Sequence, residues 1–336
     1  MDILSRLFDE MHLQQVQYIS VHASGAWQLE QAQQDYLTFI VVISGEIHLA
    51  YDKQLQVIAA NNMIMLTSQD HYTCQSDLSL SNTAIREKMP THIEGQIDLV
   101  INNEKPDNQL IHKKQAAAKF IIVRSHFDVD MAKPLLSALP TSLPPSTQQH
   151  SAYNDVVNIG LQFFQLEARL DRPGKITMLA RLASMLMIEC IREYVEQLEM
   201  TPAQNINDIA DTVFNAEDSG NWLAALKDPY LSKTLYLMHR YPEEVWTIQR
   251  LAKESGLSRS GLNERFRKLV GMTPQLYFSQ YRLRLAARFL RQEQYSINKI
   301  SELVGYASDT SFHGAFKRRY GQSPSHYRRA YIASNK

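Results

Sequence analysis

Between residues 36 and 75, apolar runs are cut at short intervals by turn-forming residues. "YLTFIVVISG" is β-branched and aromatic and ends at Gly45; "EIHLAY" then alternates apolar with polar. "QVIAANNMIMLTSQDHY" turns at Asn61-Asn62 before "MIML". Successive side chains of a strand point to opposite faces, so these runs predict short β-strands. Residues 97–101, "IDLVI", and 120–123, "FIIV", continue the pattern. Several short strands separated by turns predict a small β-barrel or sandwich.

A second rhythm begins near residue 150. The stretch 136–150, "LSALPTSLPPSTQQH", carries three prolines among polar residues and predicts a loop leaving the β-region. In 153–169 and 176–198 apolar residues recur at three- and four-residue spacing, the period of a helix. Pro173 and Gly174 separate the two. The second is apolar on more than one side, which fits a buried helix and a dimer interface equally. Residues 201–220 are polar and predict a linker, and no strand pattern follows Asp228. The expected boundaries are therefore 1–145 for a β-rich domain, 146–200 for a helical dimerisation or sensor extension, 201–227 for a linker and 228–336 for an all-helical domain. The fold class is α+β.

Charge sharpens that division. The 336 residues hold 35 Lys+Arg and 35 Asp+Glu, yet residues 228–336 alone hold 19 basic and 8 acidic side chains. The C-terminal domain thus carries the positive charge that a polyanion needs. No apolar run approaches the ~20 residues that cross a bilayer. The start, "MDILSRLFDEM", lacks the basic flank and apolar core of a secretory signal. Cys74 and Cys190 are far apart, which argues against a disulfide framework or a cysteine zinc site and predicts a reducing, cytoplasmic setting.

Inside the basic domain, "WTIQRLAKESGLSRSGLNERFRKLVG" spans 246–271. Thr247 caps a helix whose inner face is Ile248, Leu251 and Ala252. Gly256 permits a tight turn, Ser258 caps a second helix, and Leu262 and Phe266 anchor it. Small residue, glycine turn and apolar anchor are the spacing of a helix-turn-helix. The pattern returns about 50 residues later in "SINKISELVGYASDTSFHGAFKRRYG". Ile297, Ile300 and Ser301 replace Ile248, Leu251 and Ala252; Gly305 replaces Gly256; Phe312 and Phe316 replace Leu262 and Phe266, with one extra residue in the turn. Thr273-Pro274 and Ser323-Pro324 follow the two units and suit helix starts. Between them, 273–293 predicts one long helix with the stripe Tyr277, Tyr281, Leu285 and Leu290. That spacing would set two recognition helices about one DNA turn, roughly 34 Å, apart in adjacent major grooves.

The segments "WTIQRLA", "SRSGLNERF", "YRLRLAARFL", "ISELVGYAS", "FHGAFKRRYGQSP" and "HYRR" resemble the AraC/XylS family of bacterial transcription regulators over about 228–331. "GAW" at 25–27, "VVISGEIHL" at 41–49, "LLSALP" at 135–140 and "RPGKITMLARLASMLMIECIRE" at 172–193 resemble, more loosely, that family's cupin-like sensor domain. The resemblance implies a cupin-like barrel with following helices, then two helix-turn-helix units joined by a long helix. It implies a sequence-specific regulator, most often an activator, that binds double-stranded promoter DNA and works with RNA polymerase. A small-molecule effector and a homodimer belong to the same expectation, with binding relayed through 201–227.

On the first recognition helix, Arg259, Ser260, Asn263 and Glu264 are the expected base-facing residues. Arg suits guanine and Asn suits adenine, while Glu264 suits either a cytosine amine or the orienting of Arg267. Arg265, Arg267 and Lys268 are expected at phosphates. On the second, Asp309, Thr310 and His313 face the groove and Lys317, Arg318 and Arg319 lean on the backbone. That set has few long donors, so phosphate anchoring is expected to dominate there.

In the β-region, Trp27, Phe39, His71 and Tyr72 are the expected ligand-pocket residues. A metal-dependent cupin needs clustered histidines and a carboxylate. Here the strand offers Glu46 and His48, with His71 later and no H-x-H pair. No metal, cofactor, catalytic residue or membrane partner is expected. Two alternatives stand beside the leading reading: a regulator whose N-terminal domain only oligomerises, and a cupin-type metalloenzyme with a basic accessory domain.

Overall fold

A computed structural model describes residues 3–11, 14–33, 36–67, 71–77, 84–90, 96–102, 117–126, 128–136, 138–143, 152–170, 172–200 and 222–334. The chain divides into two compact units. One comprises Leu13–Phe127 and Leu139–Val213; the other comprises Met1–His12, Asp128–Ala138 and Phe214–Lys336.

The first unit is built on two sheets. A six-stranded sheet has the order β11 (Ser142–Leu143), β6 (Met63–Leu66), β3 (Tyr36–Ser44), β10 (Ala118–His126), β1 (Gln14–Ser24), β9 (Gln96–Asn102). A five-stranded sheet has the order β5 (Gln54–Ala59), β4 (Glu46–Tyr51), β7 (Tyr72–Gln75), β2 (Trp27–Gln31), β8 (Ile85–Lys88). Alternate residues of each strand meet between the sheets: Ile19, Val21 and Ala23 from β1, Trp27 and Leu29 from β2, Ile47 and Leu49 from β4, Phe120 and Ile122 from β10. This is the period-two burial of a pleated strand.

β3 breaks the alternation and is buried along almost its whole length. Such a strand needs cover on both faces. Ile40 and Val42 join the core between the sheets. Leu37 and Phe39 turn the other way and meet Ala180, Ala183 and Met187 of α4 (Lys175–Met200). α4 pairs with α3 (Ala152–Arg169) as a helical hairpin. The sequence boundaries for these helices agree with the structure within two residues, whereas β1, β2 and β8 carry no expected strand.

The second unit is helical. It contains α5 (Trp222–Lys227), α6 (Pro229–Arg240), α7 (Ile248–Ser255), α8 (Arg259–Val270), α9 (Pro274–Gln292), α10 (Ile297–Leu303), α11 (Asp309–Tyr320) and α12 (Pro324–Ser334). Two further helices belong to it, α1 (Ile3–Met11) and α2 (Val129–Leu136). The sequence boundaries group both with the β-rich region. In the structure α1 buries Ile3 and Leu7 on the α6 side, and α2 buries Met131, Ala132 and Leu135. Apolar burial of this kind stabilises by about 1.5–3 kcal/mol per side chain, which is why these helices follow their apolar partners. Of the expected linker, residues 201–221 lie outside the described residues and 222–227 form α5.

Candidate nucleic-acid interface

The first helix-turn-helix is α7–α8. Thr247 caps α7, its hydroxyl accepting from Arg250 N at 3.2 Å. Leu251 and Ala252 are buried, and Gly256 ends the helix at φ 74°. Ser258 caps α8 and accepts from Gly261 N at 3.0 Å. Leu262 and Phe266 are wholly buried and Val270 nearly so. Pinned by that face, α8 leaves Arg259, Ser260, Glu264, Arg267 and Lys268 exposed and Asn263 half-buried. Residues 259, 260, 263, 264 and 267 share one side of a helix. The Asn263 amide donates to the Arg259 carbonyl at 3.1 Å, so both belong to one polar surface.

The second unit, α10–α11, repeats this construction. Ser296 accepts from Lys299 N at 3.2 Å, and Ile300 and Ser301 are buried where Leu251 and Ala252 stand in the first unit. Gly305 turns the chain at φ 73°. A Cβ there would lie 2.7 Å from Pro242 O and closer still to the Arg282 guanidinium, so no larger residue fits. Arg282 is itself fixed, donating to Pro242 O at 2.7 Å and Glu244 O at 2.8 Å. The turn of the second unit is thereby locked to the long helix α9 and to the chain entering α7. Ser308 caps α11. Phe312 and Phe316 are wholly buried, and Phe316 stacks on Tyr320 at 4.6 Å. Thr310, Lys317, Arg318 and Arg319 are exposed; Asp309 and His313 are half-buried, His313 edge-on to Phe312. Gly314 lies on the exposed side with open space beyond it.

The structure thus brings Arg259, Ser260, Asn263 and Glu264 together on α8, with Arg267 and Lys268 in its last turn. It groups Thr310 with Lys317 and Arg318 on α11. Arg265 stands apart. Its guanidinium is ion-paired with the buried Asp228 carboxylate and lies over the Tyr230 ring at 5.1 Å. Asp228 also caps α6, accepting from Tyr230 N and Leu231 N at 3.0 Å. Arg265 therefore fastens α8 to α6. The Asp-Pro pair at 228–229 is a helix-start signal that could have flagged the cap, though not its partner. Arg284 carries no sequence expectation of burial, yet it is buried across the Tyr277 ring at 5.8 Å, and burial pushes its pKa below the usual guanidinium value.

The expected pocket residues of the β-rich unit fall in three places. Trp27 and Tyr72 lie in the core between the sheets, Trp27 stacked on Phe120 at 5.5 Å. Phe39 faces α4. His71 is exposed and bonded to Glu30 at 2.9 Å. Among the described residues no three His, Cys, Asp or Glu side chains cluster as metal ligands would, and no helix is long and apolar enough to cross a membrane.

Residues 251–330 match a family model described as a helix-turn-helix domain, and residues 2–196 match one described as a cupin. The chain is 32% identical over 332 residues to the HTH-type transcriptional regulator AlkR of Acinetobacter baylyi, covering 98% of this chain and 99% of that one. It is 29% identical over 197 residues to the RCS-specific HTH-type transcriptional activator RclR of Escherichia coli, covering 59% and 63%. It is 27% identical over 205 residues to the HTH-type transcriptional regulator MtrA of Neisseria gonorrhoeae, covering 61% of each. Two capped helix-turn-helix units behind a cupin domain, and near-complete alignment with one such regulator, show that the chain belongs to the AraC-type family of helix-turn-helix transcriptional regulators.

Proposed function

We propose that this regulator reads a promoter sequence mainly through α8 and holds the phosphate backbone through the ends of both recognition helices. Arg259, Ser260, Asn263 and Glu264 are the base readers; Arg267, Lys268, Lys317, Arg318 and Arg319 neutralise phosphates. Asp309, Thr310 and His313 of α11 supply weaker readout. The observation that carries this reading is the shared face of α8: four side chains able to bond base edges, exposed or half-buried opposite the anchors Leu262 and Phe266. The Escherichia coli relative is named an activator, which supports activation here, with RNA polymerase as the partner at the promoter.

The N-terminal domain senses a small molecule and pairs with a second copy. Support for pairing comes from α3, where Val156, Ile159, Phe163 and Leu166 are exposed at three- and four-residue spacing, Ile159 by 67%. That spacing suits the seam of a two-helix coiled coil. Genome-wide mapping of bound sites tests the reading. Sites concentrated at promoters and sharing one sequence motif are expected; sites scattered without a common motif would contradict it.

A further inference from the structure

An open-sided groove of about 460 Å³ lies on the outer face of the six-stranded sheet, beside the turn of the α3–α4 hairpin. Its location is a consequence of strand alternation. Ile19, Val21 and Ala23 of β1 point into the core, so Tyr18, Ser20 and His22 point out. Register sets Asp98 of β9 beside Ser20, and Lys119 of β10 beside His22. From the hairpin come Arg169, at the end of α3, and Lys175 and Leu179, in the first turns of α4.

Three cations, Lys119, Arg169 and Lys175, thus face one space with one carboxylate, Asp98. Among the described residues none of the four has an ion-pair partner. Like charges brought together raise each other's energy unless an anion sits between them. Tyr18 is a second, independent sign. It is 2% exposed, lines the groove, and its hydroxyl oxygen is buried with no hydrogen-bond partner. A buried hydroxyl without a partner costs roughly 1–3 kcal/mol, a cost that a bound acceptor removes. The N-terminal end of the 26-residue α4 opens at the same place and adds positive potential.

We propose that this groove binds a small organic oxyanion, a carboxylate or phosphate carrying hydroxyl groups, and is the effector site of the N-terminal domain. The inference rests on the reading that this domain senses a small molecule. Lys119, Arg169 and Lys175 hold the charged head, and Tyr18 and Ser20 hydrogen-bond to it. His22, Asp98 and Gln96 face the hydroxyl groups, and Ile121 and Leu179 form the apolar floor. Such an occupant bridges the sheet to the turn of the hairpin whose α3 carries the exposed seam, so binding stiffens the surface proposed for pairing.

The test uses the full chain. Gluconate, glucose 6-phosphate and neutral glucose are titrated at constant ionic strength while melting temperature and heat of binding are followed. DNA affinity is measured on the same samples. One or both anions should bind and raise the melting temperature, and glucose should not; the tighter of the two identifies the head group. Lys119→Gln with Lys175→Gln should weaken the anion about tenfold, and Tyr18→Phe several-fold. Arg169→Gln, on an exposed side chain, provides the same readout should the double variant fold poorly. If neither anion binds the wild type, or the variants bind as tightly, the inference is overturned. Equal binding of glucose also overturns the anion class, while leaving small-molecule sensing intact. DNA affinity kept in those cases separates failure of this site from failure of the regulator reading.

Discussion

The carboxylate of Glu10 and Nδ1 of His239 lie 2.9 Å apart, joined across 229 residues of chain. Both are almost wholly buried, at 3% and 2% exposure. The same carboxylate accepts from the Tyr281 hydroxyl at 2.8 Å and Arg6 Nε at 2.9 Å, while His239 Nε2 lies 2.8 Å from the Tyr277 hydroxyl. The first helix of the chain is thus fastened into the unit that carries both helix-turn-helix motifs. Burial alone would raise the Glu10 pKa; the charge and hydrogen bonds of His239, with Tyr281 and Arg6, more than offset it and hold it below the ordinary 4.5. A carboxyl held low in the folded state stabilises fully above its ordinary value. That stability is lost as the pH falls below about 4.5.

Glu10→Ala should therefore cost about 3–5 kcal/mol in this unit, because it leaves the buried His239 imidazole and the Tyr281 hydroxyl without their carboxylate partner. Denaturant unfolding at pH 7 measures the loss. The gap between wild type and variant should narrow as the pH drops below 4.5. A gap independent of pH would show that the carboxylate's charge is not what holds α1.

How much of this was legible depended on the range of the interaction. Both helix-turn-helix units rest on contacts within a few residues, caps at Thr247, Ser258 and Ser296 and anchors at Leu262, Phe266, Phe312 and Phe316, so the spacing revealed them. β3 read as a strand from its β-branched and aromatic run, but its burial on both faces came only from the fold, where α4 covers its second side. β8 did not read as a strand because "IREK" is an exposed, charged edge. The membership of α1 was illegible, since nothing near Glu10 points to a partner 229 residues away. Arg265 misled for the same reason. It sits in a basic helix like a phosphate ligand, and only the fold brings Asp228, 37 residues earlier, against it.

Gly305 and Gly314 should respond oppositely to alanine. At Gly305 the new methyl strikes Pro242 O and the Arg282 guanidinium, and φ 73° is strained for any L residue. A loss of at least about 1–3 kcal/mol is expected. At Gly314 the helix is regular and the space open, so alanine should add about 0.5–1 kcal/mol. Thermal melting checks both. Weaker DNA binding by the more stable Gly314→Ala would mark the bare backbone there as a close-approach surface.

Arg318→Ala should weaken all DNA sequences alike and flatten the slope of log affinity against log salt by about 0.9, one released counterion. Arg265→Ala should leave that slope unchanged and lower stability by about 1 kcal/mol, because its guanidinium is half exposed and paired with Asp228. Anisotropy titrations over a salt series measure both. A flattened slope for Arg265→Ala would return that residue to the phosphate.

Pairing through α3 predicts that Ile159→Asp or Phe163→Asp converts a dimer to a monomer in sedimentation while the monomer keeps its fold by circular dichroism, since both side chains are exposed in the single chain. A wild type that sediments as a monomer, or variants that remain dimeric, would move the interface elsewhere.

Base reading by α8 is the claim on which the rest depends, and selection of bound sequences from a random DNA pool tests it most directly. Wild type and Asn263→Ala are compared at one moderate salt concentration. The variant, while still binding, should tolerate substitutions at one adenine position that the wild type requires, a loss of discrimination of about 1–3 kcal/mol there. An unchanged preferred sequence, with Arg259→Ala equally silent, would contradict the orientation of α8 in the groove.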